Sequence, residues 1–70
     1  MKPIAVISNH DGYKHLCYHC HMSERNDMFR HVPTEQHALG IEFSAMILCG
    51  DLSKVNNLDR LEDIVLTRIR

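Results

Sequence analysis

The sequence predicts an α+β fold: a single small domain over residues 1–70, with an N-terminal β-hairpin followed by two C-terminal helices and a structural zinc as its staple. Three observations predict it. A short β-branched run near the start is followed by Asp11-Gly12, a pair that accepts the positive φ of a tight turn. An apolar segment from Ala38 to Cys49 is bracketed by Thr34 and Gly50. Toward the end, Leu58, Leu61, Ile64, Val65 and Ile69 recur at helical spacing.

In chain order, Ile4-Ala5-Val6-Ile7-Ser8 favours a strand because branched side chains fit a pleated surface. The turn at Asn9-His10-Asp11-Gly12 leads into Tyr13 to His21 as the return strand. On that strand His15, Cys17, His19 and His21 share one face. Ser23 to Arg30 is polar and reads as a loop or one short helix, stopped before Pro33 because proline pushes Val32 away from helical geometry. Thr34 then offers an N-cap, Glu35 suits the first turn, and Gly50 offers a C-terminal stop, so 34–49 is expected as a helix. Gly40 and the alternation Ile41-Glu42-Phe43-Ser44 support a rival strand over 40–49. The last helix takes Asn56 or Asn57 as cap, with Asp59, Glu62 and Asp63 early and Arg68 and Arg70 late.

Composition narrows the function. The formal net charge is −1, from 8 Lys and Arg against 9 Asp and Glu, and no basic run is present. The electrostatic footprint of a nucleic-acid binder is therefore missing from the linear sequence. No stretch approaches the roughly 18 apolar residues of a membrane span, and the N-terminal run lacks the pattern of a signal peptide. A cytoplasmic location is expected, where three cysteines remain reduced thiols.

All six histidines and two of the three cysteines lie between His10 and His37. Imidazole and thiolate are the preferred ligands of zinc. A domain core this small rarely contributes more than about 3–5 kcal/mol, so a metal staple is a physical solution to its size. Cys17-x-x-Cys20 supplies one half of a two-cysteine, two-histidine site, and His31 with His37 the other. This arrangement resembles a zinc finger in order and rough spacing from Tyr13 to His37. It departs in the ten residues between Cys20 and His31 and in Pro33. The resemblance implies a zinc-held fold. A second set, the strand face of His15, Cys17, His19 and His21, would leave an open position on a metal. A third pattern, Cys17-Tyr18-His19-Cys20-His21, resembles the haem attachment segment of c-type cytochromes over five residues. Cys49, on an apolar run, reads as a buried small hydrophobe.

No glycine-rich phosphate loop and no Gly-x-Ser-x-Gly elbow is present, so the chain is not expected to be an enzyme. The expected function is that of a small cytoplasmic regulatory or inhibitory protein that binds another protein, or a second copy as a homodimer. The apolar run at Ile41, Phe43, Met46, Ile47 and Leu48 is wider than one helix face and supplies the surface. The alternative is a zinc-finger-like nucleic-acid-binding regulator, followed by a small metalloenzyme or redox protein.

Overall fold

A computed structural model describes all 70 residues. Three strands form one parallel sheet in the order β2-β1-β3, with β1 at Ile4–Ile7, β2 at Phe29–His31 and β3 at Ala45–Leu48. Two α-helices complete the mixed α+β domain: α1 at His10–His19 and α2 at Leu58–Leu66. Single 3-10 turns lie at Glu35–Ala38 and Leu52–Lys54.

The hairpin is therefore replaced by a β-α-β unit. Asp11-Gly12 sits in the first turn of a helix, and Tyr13 to His19 continue that helix. Asn9 is the reason. Its backbone is extended, and its side-chain oxygen accepts the Gly12 N–H at 3.2 Å, which satisfies one of the free donors at the helix start. Asp11 adds a carboxylate where the macrodipole favours one. Tyr13 and Cys17, one turn apart, then meet the sheet on the same side. The helix closes with a Schellman pattern: Met22 N–H donates to the Cys17 carbonyl (2.9 Å) and His21 N–H to that of Tyr18 (3.1 Å), with His21 at φ 56°.

The helix expected over 34–49 is also absent. Thr34 precedes only the one-turn 3-10 segment, and its hydroxyl engages His37 Nδ1 at 2.9 Å instead of a backbone N–H. Gly40 at φ 73° ends any helical path, and the rival strand forms as β3. The C-terminal helix lies where its periodicity predicted, with Leu61 and Val65 buried. Arg68 and Arg70 lie beyond its end, and Ile69 instead bridges in parallel to Phe43.

Because β1 is central, Ala5, Val6 and Ile7 are fully buried, and alternation sends them to two cores. Val6 joins Tyr13, Cys17 and Phe29 beneath α1. Ala5 and Ile7 join Val32, Ala38, Phe43, Leu61 and Val65 beneath α2 and the first 3-10 turn. The sheet is thus the middle of three layers. No helix is long and apolar enough to cross a membrane.

Candidate functional site

The carboxyl ends of β1 and β3 lie side by side, and their chains leave in different directions. From β1 the chain enters α1, over the face of Val6. From β3 it passes through Cys49-Gly50-Asp51 toward α2, over the face of Ala5 and Ile7. Neighbouring strands whose connections part to opposite faces leave a crevice at their carboxyl ends, the usual ligand position in open parallel sheets.

Asn9 ties the two rims together. Its Oδ1 accepts from Gly12 N–H and also from Asp51 N–H, at 3.2 and 3.0 Å. Asp51 Oδ1 in turn accepts from the Ser53 backbone N–H (3.1 Å) and hydroxyl (2.6 Å). These two bonds hold the Asp51 carboxyl below its ordinary pKa. A hollow of about 450 Å³ opens beside this link. Asp11, His15 and His19 line it from α1, and Cys49 and Asp51 from the β3 exit. A larger hollow of about 810 Å³ runs between α1 and Met22–Glu24, and His15 and His19 border both.

The four residues expected to hold zinc are dispersed in function. Cys17 is buried in the core under α1, where Asn26 Nδ2 lies 3.7 Å from its sulfur. Cys20 is the exposed C-cap of the same helix. His31 ends β2; its ring stacks on Tyr13 with centroids 4.7 Å apart, and its Nε2 donates to the Ser8 carbonyl at 3.0 Å. His37, in the 3-10 turn, bonds Thr34. No three His, Cys, Asp or Glu side chains converge in coordinating geometry anywhere in the structure. All three cysteines are free thiols.

Sequence reading missed the group at the crevice. The signal was present: His15 and His19 stand four residues apart, which is one helical face. Read as a strand, the same residues fell into an every-second-residue pattern. Asp51 was hidden because Gly50 read as the end of a helix.

No family model, curated protein or solved structure matches this chain.

Proposed function

We propose that the chain is a small regulatory module that acts by binding another protein, taking an extended segment of that partner along the outer edge of β3. The observation that supports this most is the contrast between the two sheet edges. The β2 edge is three residues long, carries the exposed Arg30, and is braced by Arg30 Nε donating to the His37 carbonyl at 3.2 Å. Charge and shortness are devices that keep edges unpaired. The β3 edge, Ala45-Met46-Ile47-Leu48, is uncharged, and its last three residues are only half buried. Strands of parallel sheets are ordinarily covered on both sides.

The open hydrogen-bonding groups of β3 follow from its alternation. Phe43 turns outward: its N–H donates to Arg68 O (2.8 Å) and its carbonyl accepts from Arg70 N–H (3.2 Å). Ser44 N–H turns back to the Pro3 carbonyl (2.9 Å), and Cys49 N–H donates to the Ile7 carbonyl (3.2 Å), so Ala45 and Ile47 face β1 and the N–H and C=O groups of Met46 and Leu48 face away from it. Strand addition uses such groups for affinity and adjacent side chains for selectivity.

Charge defines the partner. Where β3 begins, Lys2 and Arg70 flank Glu42 at 3.9 and 3.5 Å, and Arg68 stands beside them with its Nε buried and unpartnered. Three cations face one carboxylate around a hollow of about 460 Å³ lined by Glu42, Thr67, Arg68 and Arg70. The fitting segment is extended, apolar and acidic at the end that meets these arginines.

A displayed library of random decapeptides tests the reading. Selected peptides should alternate apolar residues and carry a carboxylate at one end. Binding should protect the Met46 and Leu48 amides from hydrogen exchange and vanish in Ala45→Lys, whose exposed site allows folding. Self-association lost in Ala45→Lys would replace the partner by a second copy. A monomer that selects no peptide would overturn the proposal.

A further inference from the structure

We infer that the crevice between α1 and the β3 exit is a zinc site, with His15, His19 and Cys49 as protein ligands and water in the fourth position. The inference is independent of the β3 edge. It starts from helix geometry. Residues four apart stand on one face, about 6 Å along the axis, which is the spacing by which two helical histidines share one metal. His15 and His19 are both exposed, so their imidazoles are free to rotate toward a common point. Asp11 lies on the same face but about 12 Å along the axis from His19, too far to share that ion.

The third ligand comes from the facing wall. Asp51 is engaged with Ser53 through two hydrogen bonds, whereas the Cys49 thiol has one long contact, 4.0 Å from the Gly12 carbonyl. That contact turns the sulfur toward α1, and Cys49 lines the same hollow as both histidines. Two imidazoles and a thiolate with a fourth position left to water are a donor set of the kind that open tetrahedral zinc sites use. The three side chains do not converge in coordinating geometry. Closure is a rotation of the two exposed rings and of the thiol, which releases its proton as the sulfur binds. The ion then joins α1 to the β3 exit, the same two elements that Asn9 links through Gly12 and Asp51.

The full-length chain, freed of metal with a chelator, is titrated with zinc by calorimetry and with cobalt by absorption. One zinc should bind per chain. Cobalt should develop a thiolate charge-transfer band that Cys49→Ser removes. His15→Gln and His19→Gln should each weaken zinc at least about tenfold, the lower end of what loss of even an outer-shell partner costs. Far-ultraviolet circular dichroism should remain that of the parent in all variants, since none of these side chains is fully buried. Zinc should raise the unfolding midpoint of the parent and leave that of the double histidine variant unchanged. Undiminished binding in the double variant would overturn the site. So would a thiolate band that survives Cys49→Ser and disappears in Cys20→Ser, which would move the metal to the other end of α1. A chain that binds neither ion would also end the assignment.

Discussion

Gly12 and Gly50 stand back to back, so close that a Cβ on either would lie 2.7–2.8 Å from the other's Cα. This contact brings the first turn of α1 against the β3 exit and lets one Asn9 side chain reach both. It explains why a helix tolerates glycine at position 12, where propensity alone argues against it.

Alanine at either position should therefore cost more than at the third glycine. Gly12→Ala introduces a backbone clash worth about 1–3 kcal/mol. Gly50→Ala adds a left-handed backbone, at φ 73°, to a collision with Asn9 Oδ1, for a sum of about 2–5 kcal/mol. Gly40 shares φ 73° but faces open space, so Gly40→Ala should lose only about 1–2 kcal/mol. Urea unfolding of the three variants checks the order. Gly12→Ala as stable as the parent would show that the two elements do not meet this closely.

His21 offers the opposite test. It holds the left-handed position that closes α1, at φ 56°, where glycine is the usual residue. Left-handed backbone costs a side-chain-bearing residue about 1–2 kcal/mol, and glycine returns part of that through its freer unfolded chain. His21→Gly should stabilise by about 0.5–1 kcal/mol, raising the melting temperature by roughly 2–8 °C. A lower melting temperature would contradict the Schellman closure.

How much of this was legible varied with the kind of signal. Residues 4–7 and 58–66 announced themselves because each carries one clean period, β-branched for β1 and three-to-four-residue for α2. Helix α1 was misread because its buried face is short: Tyr13 and Cys17 are its only buried residues, and the histidines at 10, 15 and 19 carry no apolar period. Strand β2 is only Phe29–His31, too short for a pattern, and is fixed by pairing to β1. At β3, Thr34 and Gly50 were read for the punctuation they often supply to helices, whereas Gly50 serves a close approach between loops. The grouping of His15, His19 and Cys49 depends on those two elements, so it could not be seen before they were placed.

The C-terminal helix predicts a sharp contrast between adjacent residues. Leu61 is 1% exposed and packs with Val32, Phe43 and Val65. Leu61→Ala should cost about 2–5 kcal/mol, through lost burial and the cavity left behind. Arg60, next to it, is exposed and pairs with Glu35 at the surface. Such pairs contribute about 0–1 kcal/mol, so Arg60→Ala should unfold close to the parent, and the remaining difference should shrink in high salt. Equal losses at both positions would mean that α2 is not seated on this core.

Tyr13 predicts how the fold responds to alkali. Its ring stacks on His31 at 4.7 Å, and its hydroxyl donates to the Glu24 carbonyl at 3.0 Å, which anchors the chain after α1. Burial, followed by the neighbouring Cys17 thiol, pushes its pKa up from 10.0 to about 12. The neutral phenol is thus the form that the fold favours. Because the folded value lies above the unfolded one, the stabilisation is fully present below pH 10. It declines as the unfolded chain begins to ionise and is gone once pH passes about 12. Tyr13→Phe keeps the ring and its stacking but has nothing to ionise and no bond to Glu24. It should be less stable than the parent at pH 8, by about 0.5–1.5 kcal/mol for the lost hydrogen bond. The gap should narrow between pH 10 and 12, as only the parent loses this contribution. Urea unfolding of both proteins at a series of pH values, read by circular dichroism, measures the gap directly. A gap that stays constant across that range would show that the Tyr13 phenol titrates as it does in the unfolded chain.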